Sequence, residues 1–527
     1  MTTEIINLAE DSAKSGFFLA TGTAISTAIM SIAAILIGRL LGPESYAKYT
    51  LAFVIPHILF LFTDLGITQG ITKFSASLNN RGETKRLMEI IQTAILFRIL
   101  VGAFIFTINF TLADHFASFL NRPEISPYIR AASTAIIFQV LFTSVESAFV
   151  GLDKTEYTAL ATNINAFIKV AVTISLLLIG LGVTGAILGY VVGYAVAGAI
   201  GIFILFFRVL KKFIKINKGS FYQNLKILMH YGAPLYVSTL ITGFLPLCQN
   251  FLLTLFTTDR DIGNFKASTN FIALISIFSI AVTTALLPGF SKLDSDSKEK
   301  IKTFFKLSTK YASLLVVPTA TFILIFSNKI VQIVYGSEFQ SASTFLSLSC
   351  MVYYLVALGY LILPSLFNGL EATKDTLRMA IINFSLFLAL SPILTKIYNV
   401  PGLIASSLIS NFVATLYAKH IAQTRFGVEF DTTSITRIYL VAAISAFFSL
   451  LTNYMTSSEI FGLILGGTIY FLVYITLMPL TKVIEKNELK NISNVTRKIK
   501  VIGPLADPIL KYQQKILKIK SGMMKRT

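Results

Sequence analysis

Residues 155–207 read TEYTALATNINAFIKVAVTISLLLIGLGVTGAILGYVVGYAVAGAIGIFILFF. The stretch holds two apolar runs, near 157–180 and 184–207. A helix of about 20 apolar residues crosses the hydrocarbon layer of a membrane, so each run is long enough to span. Only Gly180-Leu-Gly182-Val-Thr-Gly185 parts them. Those letters satisfy G-x-G-x-x-G, but the dinucleotide fingerprint needs a strand before it, so the segment reads as a turn between two spans. The rest of the chain is of the same kind. Of its 527 residues 54% are hydrophobic and 13% charged, with a mean hydropathy of +0.72. A soluble globular chain carries about a quarter charged residues.

Apolar runs set against charged gaps predict spans at 14–38, 46–70, 90–113, 127–150, 157–180, 184–207, 233–257, 263–288, 311–335, 343–368, 376–396, 401–422, 437–456 and 459–480. The fold class is an all-α polytopic membrane protein of about fourteen transmembrane helices. The first run is long enough to span and lacks a clear A-x-A cleavage site, so it reads as span one and not as a signal peptide. Little chain remains for a soluble catalytic domain, and no G-x-x-x-x-G-K-[ST] loop argues for a built-in ATPase. Cys248 and Cys350 both lie in apolar runs, where they read as small packing residues and not as a disulfide or metal site.

The net charge of +19 points to orientation, not to nucleic acid, because the cations gather in gaps between spans. Lys73 to Arg86 follow span two, Arg208 to Lys226 follow span six, and Lys292 to Lys310 follow span eight. The tail from Thr481 adds many more. Gaps after odd-numbered spans hold few cations, such as Arg122, Arg130 and Lys329. By the positive-inside rule both termini are cytoplasmic and the chain is a multi-pass protein of the cell membrane. From Pro508 the tail sets Ile509, Leu510, Ile516, Leu517 and Ile519 among lysines, which fits either an amphipathic helix on the inner leaflet or a solvated basic tail.

The sequence also aligns weakly with itself. Phe149-Val-Gly151-Leu-Asp153 is matched by Phe367-Asn-Gly369-Leu-Glu371, and an asparagine follows each glycine by fourteen residues, at Asn165 and Asn383. Gly16 with Tyr49 is matched by Gly232 with Phe265 at a similar offset. The predicted organisation is an N-lobe over 1–210, a basic cytoplasmic linker over 211–232, a C-lobe over 233–422, two further helices over 437–480 and a basic tail over 481–527. Six spans separate the copies, so the lobes share an orientation about an axis along the membrane normal. Transporters of this kind place substrate between the halves.

Polar groups inside spans are costly, about 2.5–3.5 kcal/mol for a centred cation on insertion scales, and so mark function. Lys169 lies mid-span and shares a helical face with Thr158, Thr162, Asn165 and Thr173. It reads as a ligand for a substrate phosphate, as half of an ion pair, or as a snorkelling side chain. Arg98 either lines the cavity or snorkels. In span seven Ser238, Thr242, Gln249 and Asn250 form an uncharged stripe near Gly243 and Pro246, where a bend is expected; sugar hydroxyls and interhelical hydrogen bonds suit it equally. Asp64, Glu146 and His57 are candidates for coupling to Na⁺ or H⁺, or for pairing with Lys169 or Arg98.

Gly38-Arg39-Leu-Leu-Gly42-Pro43-Glu44-Ser-Tyr46-Ala-Lys-Tyr49, with Thr63-Asp64-Leu65-Gly66-Ile-Thr-Gln-Gly-Ile-Thr-Lys73-Phe74, resembles the polysaccharide-transporter branch of the multidrug/oligosaccharidyl-lipid/polysaccharide exporter superfamily. Gly151-Leu-Asp-Lys-Thr, Val334-Tyr-Gly336-Ser-Glu338-Phe and Phe367-Asn-Gly369-Leu-Glu-Ala-Thr-Lys resemble it too. The resemblance implies two six-helix lobes, a central cavity, and alternating access that carries a polyprenyl-linked glycan from the cytoplasmic to the outer leaflet. It implies no enzyme activity and no cofactor. Membrane lipids and glycosyltransferases of the same pathway are the implied partners. A drug/cation antiporter of the same superfamily is the alternative, which would make Asp64 and Glu146 primary and Lys169 awkward. A lipid-precursor flippase of peptidoglycan synthesis shares the helix count, but its several arginines in spans one, two and eight are not seen. A membrane glycan polymerase or ligase is the alternative of another class, and it would need a longer outer loop than the sequence offers.

Overall fold

A computed structural model describes residues 2–210, 218–272, 286, 290, 293, 298–454, 458–484, 488–489 and 503–523. Every regular element among the described residues is a helix. That follows from the solvent: hydrocarbon offers no hydrogen bonds, so each segment must pair its own backbone groups. The N-terminal part runs α1 (Thr2–Ala52), α2 (Val54–Leu61), α3 (Ile67–Asn80), α4 (Thr84–Thr111), α5 (Ala113–Phe119), α6 (Ser126–Ser133), α7 (Ala135–Gly151), α8 (Thr155–Leu178), α9 (Gly182–Phe203) and α10 (Lys218–Phe256). A further helix covers 259–272. The C-terminal part runs α11 (Lys298–Tyr335), α12 (Gln340–Cys350), α13 (Leu363–Gly369), α14 (Thr373–Phe426), α15 (Thr432–Leu450), α16 (Glu459–Leu480) and α17 (Gly503–Met523).

Among the described residues ten helical stretches are long and apolar enough to cross a membrane. Two of them each cover two expected spans: Ile25–Leu61 has 37 residues and Thr373–Phe426 has 54. At about 1.5 Å per residue the longer would reach roughly 80 Å, against a hydrocarbon layer of about 30 Å. Each is broken where the next span is expected. Gly42 (φ 73°, ψ 167°) precedes Pro43, and Asn399 (φ 53°, ψ −137°) precedes Pro401 by two residues. Beyond 272, span eight lies outside the described residues to 285, as do the linker cations at 211–217, Lys292 and the tail over 490–502.

Two boundaries differ from the sequence reading. Helix α11 begins at Lys298, not at 311, because hydropathy marks where lipid ends and not where hydrogen bonding ends. Span ten is not one helix: a 3₁₀ segment over Met351–Leu358 and left-handed Gly359 (φ 87°) separate α12 from α13, whose first turn holds Pro364.

The internal repeat is written into the backbone. Asp153 (φ 57°) and Glu371 (φ 60°), 218 positions apart, are both left-handed non-glycine residues. The helix before each ends alike, Lys154 N donating to the Phe149 carbonyl at 2.8 Å and Ala372 N to the Phe367 carbonyl at 2.7 Å. Asn121 (φ 55°) opens onto a 3₁₀ turn at Pro123–Ile125, as Gly336 (φ 89°) does at Ser337–Phe339.

By compactness the chain divides into residues 1–267 and 268–527. The division falls after α10, not at the 211–232 linker of the repeat. Its cause is local: a Cβ on Gly232 would meet the Gly66 carbonyl oxygen at 1.9 Å, and Tyr236 donates to the Leu61 carbonyl at 2.9 Å, so α10 is fastened to α2 and α3. The N-terminal unit is cored by Ile67, Ile71, Ile91, Phe149, Leu205 and Leu228. In the C-terminal unit Phe305, Phe326, Phe339, Phe367, Phe387 and Tyr470 are among the largest fully buried side chains.

Candidate functional site

The site is built on the α8–α9 hairpin. Gly180 (φ 92°) and Gly182 (φ 50°) take backbone angles that suit glycine, and nothing lies within 4 Å of where their side chains would be. The G-x-G-x-x-G letters therefore serve a tight turn. Gly185, Gly189 and Gly193 then recur every four residues along α9 and face α8. A Cβ on Gly189 would stand 2.0 Å from Thr173 Oγ1, and one on Gly193 would stand 2.8 Å from Lys169 Cβ and 2.9 Å from Asn165 Oδ1. This small-residue stripe lets the two backbones close on the polar stripe of α8. Asn165, Lys169 and Thr173 are buried against it, and Thr158 is buried on the same face of α8.

Lys169, 7% exposed, reaches α9 on the same side. Its Nζ stands 3.4 Å from the centroid of the Tyr190 ring and 5.4 Å from that of Tyr194. No carboxylate pairs with it among the described residues. The face of an aromatic ring attracts a cation without neutralising it. Gln139 Nε2 donates to the Tyr190 hydroxyl oxygen at 2.7 Å, and His57 Nε2 lies 3.2 Å from the same oxygen. Phe53 packs on Tyr190 at 4.4 Å between centroids, and Phe142 packs edge-on to Tyr194 at 5.4 Å. Lys266 joins from the 259–272 helix: its ammonium and that of Lys169 both act electrostatically on His57. That helix is held close by Gly263, where a Cβ would meet the Pro43 carbonyl oxygen at 2.0 Å.

The other expected residues are placed differently. Arg98, 1% exposed, donates through Nη1 to Ser144 Oγ at 2.9 Å and forms an ion pair from Nη2 to Asp64 Oδ1 at 3.7 Å. Asp64 also accepts from the Thr68 amide at 3.1 Å and from the Thr68 hydroxyl. Of the two partners weighed for Asp64, Arg98 is the one it meets. Thr162 Oγ1 lies 2.8 Å from both Glu146 Oε1 and the Thr158 carbonyl oxygen. No cation pairs with Glu146 among the described residues. Buried Asn165 Oδ1 has no hydrogen-bond partner there either. Gln249 and Asn250 are half-buried on α10 and make no side-chain hydrogen bond to the Lys169 cluster. The side chains of Ser238 and Thr242 lie outside the described residues.

Sequence reading missed Tyr190, Tyr194, Gln139 and Lys266. Tyr190 and Tyr194 were visible as an i, i+4 pair each preceded by a glycine, and Lys266 as a cation at the start of span eight. Among the described residues no group of three or more His, Cys, Asp or Glu is arranged to hold a metal, and both cysteines are free and buried. On the outer side of the predicted topology Arg122 donates from Nε to Asp259 Oδ1 at 2.5 Å, from Nη2 to the Thr257 carbonyl at 2.6 Å, and from Nη1 to the Thr254 carbonyl. It thereby caps the end of α10.

Comparison with known proteins places this geometry. The profile described as polysaccharide biosynthesis protein matches residues 36–344, and that of the lipid II flippase MurJ matches residues 267–474. A probable low-salt glycan biosynthesis flippase, Agl15 of Haloferax volcanii, is 25% identical over 278 residues, which are 52% of this chain and 58% of the relative. The match thus spans little more than half the length of that curated relative. The fold is similar to that of lipid II flippase MurJ in an inward closed conformation, with a TM-score of 0.71 at 15% identity over 88% of this chain and 99% of the other. It is also similar to a MOP superfamily transporter from Pyrococcus furiosus, described as having a binding pocket of reverse polarity, with a TM-score of 0.54 at 16% identity over 79% and 96%. The peptidoglycan-type relative set apart on its arginines is therefore close in fold. With one family profile covering more than half its length, the chain belongs to the polysaccharide biosynthesis protein family and has the fold of the MOP superfamily transporters.

Proposed function

We propose that the protein is a flippase that moves an oligosaccharide linked to a polyprenyl phosphate or pyrophosphate from the cytoplasmic to the outer leaflet by alternating access. The observation that carries the reading is the Lys169 cluster: a buried amine on a tyrosine face, with no carboxylate paired to Lys169 among the described residues. A phosphate crosses hydrocarbon slowly because its charge must leave water, and a fixed cation offsets part of that desolvation. The polyprenyl tail stays in lipid, so only the head needs a polar path. The family and the curated relative's own description as a glycan biosynthesis flippase support the reading.

No covalent step is needed, so no enzyme activity is assigned. A drug/cation antiporter fits less well, because cations need acidic ligands and Asp64 already faces Arg98. Glu146, bonded to Thr162 with no cation paired to it among the described residues, and His57 beside Tyr190 are the groups we assign to Na⁺ or H⁺ coupling. Both termini are assigned to the cytoplasm of the cell membrane, where glycosyltransferases of the pathway would load the carrier. The test is complementation of a flippase-deficient strain. Lys169→Ala at unchanged protein level should abolish export of the glycan, and full complementation would remove the phosphate role.

A further inference from the structure

The C-terminal unit holds a cavity of about 570 Å³ between α13, α14 and the residues just before α13. Its polar lining is Tyr360, Ser365, Asn368, Thr376, Asn383 and Asn411, and the remainder is apolar. The volume lies within the roughly 300–1,000 Å³ of small-molecule sites. Positions 218 apart in the repeat coincide with the hairpin of the N-terminal unit. Asn383 corresponds to Asn165 and Asn411 to Gly193, and both pairs meet: Asn383 Nδ2 donates to Asn411 Oδ1 at 3.2 Å, just as Gly193 abuts Asn165. Yet the two charges of the α7–α8 site, Glu146 and Lys169, are gone. Pro364 stands at the position of Glu146, Ala380 at that of Thr162, and buried Phe387 at that of Lys169.

We infer that this cavity is a carbohydrate subsite, taking uncharged hydroxylated sugar units of the glycan whose phosphate is assigned to the Lys169 cluster. The inference rests on the flippase reading. Its chemistry is specific. Buried Asn383 Oδ1 has no donor among the described residues, and Thr376 Oγ1 at the mouth donates to Asn368 Oδ1 at 2.9 Å. An acceptor lacking a donor in an uncharged cavity suits a sugar hydroxyl. Phosphate would want a cation here, and a metal ion would want several more oxygens than one free amide oxygen supplies. An acyl chain would leave the amides unpaired.

Saturation-transfer NMR on the full chain in lipid nanodiscs tests it, with the methyl glycosides of glucose, galactose, mannose and N-acetylglucosamine as probes. Transfer to at least one glycoside is expected, weakened about tenfold by Asn383→Ala, the loss that one buried hydrogen bond represents. Thr376→Val at the mouth should weaken it as well, and serves should Asn383→Ala fail to fold. No transfer from the parent protein, or transfer unchanged in both variants, overturns the inference. The same preparations are scored for movement of a lipid-linked oligosaccharide. Movement without glycoside transfer overturns the subsite alone, whereas glycoside transfer without movement supports the subsite and overturns the flippase reading.

Discussion

Arg98 and Asp64 show what a charge inside a span needs. The guanidinium, 1% exposed, is held by Ser144 Oγ at 2.9 Å and by the Asp64 carboxylate at 3.7 Å. Removing one partner of a buried pair strands the other charge, at a cost of about 3–5 kcal/mol. Asp64→Ala should therefore lower the unfolding temperature in detergent sharply, and the double variant Asp64→Ala with Arg98→Leu should recover much of the loss. Equal instability of both would show that the pair is not what matters. Asp431, between α14 and α15, is a milder case. Its partial burial pushes the carboxyl up, but the Ser434 hydroxyl and amide, with Lys306 and Lys310 nearby, outweigh that and hold it below the usual value. Its stabilising share is present above the unfolded-state pKa of about 3.9 and is lost as pH falls through the lower folded value. Asp431→Ala should cost about 1 kcal/mol of helix capping at neutral pH, with the gap from the parent protein closing in strong acid. A stability difference unchanged down to strong acid would refute the linkage. At this scale the sequence spoke only where a residue was out of place. Lys169 was legible because ammonium does not belong in an apolar run. Tyr190 and Gln139 were not, because a tyrosine or a glutamine in a span shows no partner until the opposing helix is known.

The α8–α9 hairpin carries the site, and its glycines differ in kind. Gly189 is a contact: a Cβ there would stand 2.0 Å from Thr173 Oγ1 and 2.6 Å from Thr173 N. Gly180 is a turn with nothing within 4 Å. Gly189→Val should force α9 off α8, costing about 1–3 kcal/mol or more by overpacking and moving Tyr190 away from Lys169. Gly180→Ala should cost only the roughly 1–2 kcal/mol of a left-handed alanine and leave activity in place. Unfolding in detergent, scored beside glycan export, separates the two; loss of export in Gly180→Ala at normal stability would contradict the assignment. The hairpin itself was readable from hydropathy, since both apolar runs and the glycine-rich gap are local features. The left-handed Asp153 and Glu371 that mark the repeat were not, because glycine is the usual sign of that helix ending and here an acidic residue takes its place, held by the Lys154–Phe149 and Ala372–Phe367 backbone bonds. The tail was half readable. Of the two readings left open for it, it takes the helical one, α17, but it docks on α16, with Leu510 buried and Gln513 Nε2 donating to the Ile475 carbonyl at 3.3 Å.

For the molecule as a whole, hydropathy made the all-helical membrane architecture legible, while the compact division at 267/268 was not, because it depends on the Gly66–Gly232 approach between distant segments. Orientation is testable directly. In a chain cleared of Cys248 and Cys350, a cysteine at Asp261 should label from outside and one at Lys300 only after the membrane is opened. The reverse pattern would invert the topology. The central claim is transport of an anionic lipid-linked glycan, and one assay reaches it: proteoliposomes loaded with a polyprenyl-pyrophosphate oligosaccharide on one leaflet, probed from the other by an enzyme that cleaves exposed glycan. The account predicts rapid loss of protection with the parent protein and the protein-free rate with Lys169→Met. Protection unchanged by the parent protein, or a Lys169→Met variant as fast as the parent, would contradict it.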